Sequence, residues 1–288
     1  RRDAGAYDDP IRAERVRRAL EHVRGVHGVS FGDDAFLQLL RTGGFDALCH
    51  HAAEVTDYKS PRFDVQAALA NNTRRVGDVL DAMREGGCTR LVCTGTVFEQ
   101  DEGAGSTSRG AGGGLEAFSP YGLSKGLTWQ VFRFEAIRRG LSLGKFVVPN
   151  PFGPYEEPRF TKYLVRTWAD GGVPEVRTPL YVRDNIHATL LAKCYERFVA
   201  TLPTAAGVYR TNPSGYVESQ GAFAMRVASE LGRRWGRKCP VTLCDQTEFS
   251  EPRVRINLDT PDAAALGWSE TEAWDGFAEF YERTVLKA

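Results

Sequence analysis

Between residues 10 and 24 the apolar positions fall at Ile11, Val16, Leu20 and Val23, with arginines and glutamates between them. That spacing predicts a helix with one apolar stripe and a heavily charged outer face. A second short helix is predicted over 34–42, stopped by Gly43–Gly44. The run Phe45–Asp46–Ala47–Leu48–Cys49–His50 is short and apolar, as a buried strand is. Residues 65–85 read as one long helix closed by Gly86–Gly87, and 90–94 as the next strand. From 103 to 114 the sequence GAGSTSRGAGGG has no apolar side chain larger than alanine, which predicts a mobile surface loop or lid. Ser119 then suits an N-cap with Pro120 at the first helical position, opening a helix to about Arg139. Gly140 leads into a strand over 143–148. Strands alternating with helices argue an α/β fold, a doubly wound parallel sheet with helices on both faces.

After Pro149 the texture changes. A breaker-rich loop (149–155) precedes a helix over 161–169, short strands over 174–177 and 180–182, and a helix over 185–199. The tail offers helices over 222–231 and 270–286. This predicts a cofactor domain over 1–150 to which 181–212 returns, and a smaller C-terminal α/β substrate lobe made of 151–180 and 213–288.

Composition narrows the function classes. Lysine plus arginine (37) equals aspartate plus glutamate (37), so no electrostatic footprint for nucleic acid or an anionic membrane stands out. The longest apolar runs are too short to cross a bilayer, which points to a cytoplasmic protein. The six cysteines form no CxxC pair and read as small hydrophobes rather than a disulfide frame. His50 and His51, adjacent in a strand, point to opposite faces and cannot share a metal ion, so no metal site is expected. The chain opens Arg1–Arg2–Asp3 and holds only Met83 and Met225, which reads as the interior of a longer polypeptide.

The chemistry centres on Tyr121–Gly122–Leu123–Ser124–Lys125. Residues four apart share a helical face, so phenol and ammonium project together. A free tyrosine, with a pKa near 10, is a poor base at neutral pH. A neighbouring ammonium favours the phenolate and brings proton transfer within reach. Alone, YxxxK is as readily a surface Tyr–Lys pair. Order makes it informative: the hydroxyl-bearing strand end Thr94–Gly95–Thr96 precedes the Tyr121 helix, and Asn150 closes the strand that follows. Ligands of open parallel sheets bind beyond the carboxyl ends of the strands. The ends at His50–Ala53, Thr94–Thr96 and Pro149–Pro151 would therefore line one crevice with Tyr121.

From about residue 45 onward the chain resembles the extended short-chain dehydrogenase/reductases, the NAD-dependent nucleotide-sugar epimerase/dehydratase group. Asp46–Ala47–Leu48–Cys49–His50–His51–Ala52–Ala53 is similar to that group's DxxxHxAA strand. Asn72, with Leu80 and Ala82, resembles its asparagine helix, and 90–96 resembles the strand carrying a catalytic serine or threonine. Asn150–Pro151–Phe152–Gly153–Pro154, Tyr181–Val182–Arg183–Asp184–Asn185–Ile186 and Leu266–Gly267–Trp268 follow in the group's order. The resemblance implies a Rossmann-like fold and an NAD(P)-dependent oxidoreductase or epimerase. It implies that Tyr121 exchanges a proton with a sugar hydroxyl or ketone, that Lys125 holds the nicotinamide ribose and tunes Tyr121, and that Thr96 bonds the same substrate oxygen. Counting back from Val97–Phe98 selects Thr94 instead, so that choice stays open. His51, Ala52, Ala53, Asn72 and Pro149 would touch the cofactor. Asn150 and Arg177 would touch substrate, Arg177 at a diphosphate suited to a guanidinium fork, with Arg253 and Arg255 as further candidates. A homodimer, common in the group, is expected.

Two departures matter. The group's opening strand, glycine-rich turn and helix, where backbone amides meet a pyrophosphate, has no counterpart; Gly25, Gly28 and Gly32 read as turns. Arginines at 1 and 2 tilt the choice toward NADP, with NAD left open. The Asp–Glu pair that follows the catalytic threonine in sugar 4,6-dehydratases is also missing, Glu99, Asp101 and Glu102 being later and expected in solvent. Epimerisation or ketone reduction of a nucleotide-linked sugar is therefore the leading expectation, against a reductase of a non-nucleotide carbonyl compound or a non-catalytic binding protein that kept the fold.

Overall fold

The computed structural model describes residues 7–99 and 117–287. The predicted lid (103–114), Asp101, Glu102, Arg1 and Arg2 lie outside the described residues.

Two short helices come first, α1 (Pro10–Leu20) and α2 (Asp34–Thr42), each N-capped by an aspartate carboxylate, Asp9 and Asp33. Four parallel strands then build the first sheet: β1 (Ala47–His50), β2 (Arg90–Thr96), β3 (Ser142–Val148) and β7 (Gly207–Thr211), in the order β1-β2-β3-β7. The crossover between β1 and β2 is not the single long helix expected but two, α3 (Val65–Asn72) and α4 (Val76–Glu85). Asn71, Asn72 and Thr73 are poor helix formers, and the Thr73 hydroxyl donates to the Leu69 carbonyl at 2.7 Å. Arg75 then takes a left-handed conformation (φ 50°), held by Asp34, Asp78 and the Gly32 carbonyl.

α5 (Pro120–Ile137), capped by Ser119 as expected, crosses from β2 to β3. Strand alternation splits the core about the sheet. Leu91, Cys93 and Leu143 face α2, α4 and α5, meeting Leu37, Leu80, Met83 and Phe132. Val92 and Phe146 face α7 (Ala188–Thr201), meeting Tyr195, Phe198 and Leu202.

The second lobe has its own sheet. β4 (Asn150–Phe152) and β10 (Val254–Arg255) pair in parallel with β6 (Val182–His187), and β8 (Tyr216–Ser219) pairs antiparallel with it. β5 (Glu175–Val176) and β9 (Thr242–Leu243) form a small ribbon. Of the segment 181–212, α7 and β7 join the first sheet, whereas β6 lies in the second. The expected strand over 180–182 is instead a strand beginning at Val182 and running through Asn185, and the helix starts only at Ala188 with His187 as its cap. β6 is central in its sheet, and that pairing overrides the local helical pattern. α6 (Phe160–Ala169), α8 (Gln220–Trp235) and α9 (Glu270–Tyr281) enclose a core around Phe152, Phe223, Trp274 and Phe277. α9 continues as a π-helical turn over Glu282–Leu286.

Candidate active site

β2 and β3 end together at Thr96 and Val148, a little beyond the end of β1 at His50, and this end of the sheet meets the first turn of α5. In register His50 pairs with Cys93, and Thr94, Gly95 and Thr96 pair with Phe146, Val147 and Val148. Gly122 brings α5 this close. A Cβ at Gly122 would stand 2.9 Å from the Phe98 carbonyl carbon and nearer still to its oxygen, so only glycine lets the helix press on the turn after β2.

Lys125 is buried, and its ammonium donates to the Thr94 carbonyl at 2.9 Å. Tyr121 packs edge-on against Tyr58, Phe63 and Phe98, with centroids 5.3, 6.0 and 6.0 Å away. Contrary to the expectation of an ammonium-stabilised phenolate, the Tyr121 pKa is pushed up to about 12, first by burial and then by Glu99 and Tyr58, with Arg159 opposing. The physical reason is the aromatic cage: it removes water from the phenol while the Lys125 charge is spent on Thr94 and on Glu99. The Lys125 pKa is itself lowered, by burial above all.

The two threonines differ. Thr94 donates to the His50 carbonyl at 3.4 Å, whereas Thr96 accepts the Phe98 N–H at 3.4 Å and keeps its own proton to give. Glu99, expected in solvent, is buried (5% exposed); it accepts from Lys145 at 2.6 Å and from the Thr96 N–H at 3.1 Å. Its carboxylate bends inward because a buried lysine on β3 needs a counter-charge.

His50 and His51 do point to opposite sides. His50 is buried between Phe31 and Phe132, which drives its pKa down to about 4. His51 is exposed and lies against Tyr195. Ala52 is exposed and Ala53 half-buried beyond the end of β1. Asn72 is buried, its amide accepting from Glu54 N–H at 2.7 Å and donating to Thr128 at 3.3 Å, so it braces the loop after β1 against α5. Pro149 is buried between β3 and β4.

Beside this strand end lies a cavity of about 500 Å³, walled by Tyr58, Phe98, Phe118, Asn150, Tyr181, Arg183, Glu251 and Arg255 among others. Asn150 is held there through its amide, which donates to the Asp184 carbonyl at 2.9 Å. Arg183 and Arg255 are buried, and both reach Glu251, at 3.1 and 2.7 Å. Arg255 also stacks on Phe98 and Phe118, at 4.2 and 5.2 Å from the ring centres. Burial lowers both guanidinium pKa values, and the Arg255 charge adds to it at Arg183, which falls to about 10.

Arg177 is not brought to this cavity: its side chain is 83% exposed and lines a shallow depression with Tyr163. Arg253 stacks on Phe249. Arg183 was missed, although alternation along a strand at 182–187 places Arg183 and Asn185 on one face. Glu251 left no signal, because it lies in an irregular loop.

A dinucleotide fits part of this arrangement. The small residues after β1, the Thr94–Thr96 end, Pro149 and the Tyr121–Lys125 turn lie at the carboxyl ends of the first sheet's strands. For the pyrophosphate the described residues offer no strand, glycine turn and helix in sequence. No described strand pairs with the outer edge of β1, and Gly25, Gly28 and Gly32 lie in irregular chain ahead of α2.

A family model described as NAD dependent epimerase/dehydratase matches residues 10–206. The chain belongs to that family. With it, the protein is an enzyme of the extended short-chain dehydrogenase/reductase type. Comparison by sequence with curated proteins gives no match. Among solved structures, the chain is similar to DesIV, a dTDP-glucose 4,6-dehydratase from Streptomyces venezuelae with NAD and TYD bound. The identity is 21%, over 96% of this chain and 84% of that one, with a TM-score of 0.66. It is also similar to the UDP-glucose 4-epimerase of Bifidobacterium longum in complex with NAD+ and UDP, at 17% identity over 96% and 88% of the two chains (TM-score 0.66). For the UDP-glucuronic acid 4-epimerase of Bacillus cereus, in complex with UDP-glucuronic acid and NAD, the figures are 15%, 95%, 87% and 0.67. The Rossmann-like α/β fold is thus shared across this group. No described helix is long and apolar enough to cross a membrane.

Proposed function

We propose that the protein epimerises or reduces a nucleotide-linked sugar, with Tyr121 as proton donor and acceptor, Thr96 as hydrogen-bond donor to the reacting oxygen, and Lys125 as the group that holds the nicotinamide ribose. The observation that carries this reading is the cavity holding Arg183 and Arg255, which adjoins the aromatic cage around Tyr121. Buried guanidinium groups beside aromatic side chains of the same wall suit a diphosphate carrying a planar base. Bound NAD or NADP would supply the hydride donor or acceptor at the strand ends, held by Ala52, Ala53, Pro149 and Lys125, with His51 and Asn72 bordering it.

The residues of this chain set the proton chemistry. A phenol kept protonated by its aromatic cage is poised as the acid that delivers a proton to a carbonyl oxygen being reduced. Thr96, with a free O–H, would stabilise the developing charge on the same oxygen. The reverse proton transfer needs Lys125 to leave the Thr94 carbonyl and turn its charge toward the phenol. A homodimer through the outer face of α5 belongs to this reading, supported by the exposed Phe134 and Ile137. A cytoplasmic setting does too, supported by the unpaired, buried Cys88 and Cys93.

One observation favours a second reading, reduction of a carbonyl compound without a diphosphate: Glu251 already neutralises both arginines from within. Fluorescence titration with NAD(H) and NADP(H), followed by thermal shift with UDP- and dTDP-sugars in the presence of cofactor, decides between them. Nucleotide sugars that raise the melting temperature support the first reading. Cofactor binding without any nucleotide-sugar effect supports the second, and no dinucleotide binding at all refutes both. Tyr121→Phe should keep cofactor affinity and lose about a hundredfold or more in turnover; full turnover in that variant removes Tyr121 from the reaction.

A further inference from the structure

Beneath the strand end that carries Thr94 and Thr96 lies a set of buried charges that the proton chemistry above does not use. Glu99 and Lys145 are 5% and 4% exposed and joined at 2.6 Å. Lys145 comes from the middle of β3 and lies over the Trp129 ring of α5, 5.0 Å from its centre. The second oxygen of Glu99 takes the Thr96 N–H, and from the other side Lys125 takes the Thr94 carbonyl. Between them sits Gly95, where an added Cβ would stand 2.8 Å from Lys145 Cε and 3.2 Å from Glu99 Oε1. The three charged side chains, with His50, Cys93, Thr128 and Trp129, surround a void of only about 10 Å³.

We propose that Glu99, locked by Lys145 across Gly95, is a positioning residue that fixes the Thr94–Thr96 strand end and supplies the counter-charge against which Tyr121 and Lys125 are set. A buried ion pair adds little net stability compared with apolar residues of the same size, so fold maintenance alone does not account for it. What the pair does uniquely is aim one carboxylate at two places, the Thr96 amide and the Lys145 ammonium, without slack in the surrounding packing. The groups facing it are Lys145 from β3, Lys125 and Tyr121 from α5, Cys93 from β2 and His50 from β1, with Tyr58 and Arg159 beside Tyr121. Glu99 disfavours the phenolate of Tyr121 and favours the ammonium of Lys125, so its loss shifts both.

This inference rests on the proposed reaction for its catalytic meaning, but its first measurement needs neither cofactor nor substrate. The phenolate of Tyr121 is titrated by ultraviolet difference absorbance, each full-length protein against its Tyr121→Phe partner. Glu99→Gln should lower the Tyr121 titration on the order of one pH unit. With substrate, kcat should fall on the order of tenfold to a hundredfold while KM stays within about twofold. Because Glu99→Gln removes the carboxylate that meets the buried Lys145 at 2.6 Å and can fail to fold, the double variant Glu99→Met/Lys145→Met is measured beside it. That variant should recover the melting temperature and keep the lowered Tyr121 titration and kcat. An unchanged Tyr121 titration in either variant, or a double variant with wild-type kcat, overturns the proposal. A wild-type chain that binds no dinucleotide refutes the reaction instead, and the titration still decides the role of Glu99.

Discussion

Replacing Gly122 by alanine tests how tightly the Tyr121 helix is seated. In an open helix the change stabilises by about 1 kcal/mol, because glycine is the poorer helix former. Here the new methyl would stand 2.9 Å from the carbonyl carbon of Phe98 and 3.2 Å from the Ser119 hydroxyl, with the Phe98 oxygen closer still. Carbon atoms in contact prefer about 3.5 Å or more, so the first turn of α5 must withdraw by roughly 1 Å. Overpacking of this kind costs about 1–3 kcal/mol. Set against the propensity gain, a net loss of about 0–2 kcal/mol remains, a melting point lower by roughly 0–6 °C for a domain of this size. The effect on catalysis is larger. A displacement of about 1 Å between Tyr121 and the Thr94–Thr96 end costs on the order of a hundredfold in rate. Differential scanning fluorimetry and steady-state kinetics, side by side, should show a small stability loss with a large fall in kcat. A variant that melts higher than the parent and turns over normally would refute the claim that Gly122 is there to let α5 touch Phe98.

The cavity and two buried titratable groups give further predictions. Arg183→Met and Arg255→Met should each weaken binding of UDP or dTDP by about ten- to a hundredfold, as expected when a charged hydrogen bond is removed, whereas Arg177→Met should leave it unchanged; isothermal titration checks all three. Glu251→Gln should tighten the same binding, because it frees both guanidinium groups, and weaker binding there would contradict the cavity's assignment to an anion. His50 holds its pKa near 4 when folded against 6.5 when free, so the unfolded chain takes up the proton first. Its stability contribution is full above pH 6.5 and is lost as pH falls toward 4, by about 3 kcal/mol. His50→Leu should lose less stability than the parent between pH 7 and pH 4.5 in urea unfolding, and parallel losses would sink the argument. Asp184, raised to about 6 by burial, works in the opposite sense: what it contributes is present below about pH 4 and lost as pH rises through 6.

The strand-and-helix alternation of the first sheet could be read from the chain because it is local. Short apolar runs, glycine stops and the Ser119–Pro120 cap each act within one turn or one strand, and the structure places β1, β2, β3 and α5 accordingly. The break at Arg75 was less visible, since it depends on Asp34, more than forty residues earlier, closing over the turn. Likewise Asn185 sits in a strand because β4, β8 and β10 pair with β6 from three distant parts of the chain.

For the site, the sequence by itself determined the cast: a tyrosine and a lysine one helical turn apart, two strand-end threonines, and an asparagine after the third strand. Spacing along one element is enough for that, because helix and strand periods are fixed by the backbone. Only tertiary structure decided the electrostatics. Charge interactions depend on distance and on exclusion of water, and both are set by partners remote in sequence. Lys125 turned to the Thr94 carbonyl, Glu99 went inward to meet Lys145, Arg177 was left in solvent, and Arg183 with Arg255 closed on the cavity through Glu251.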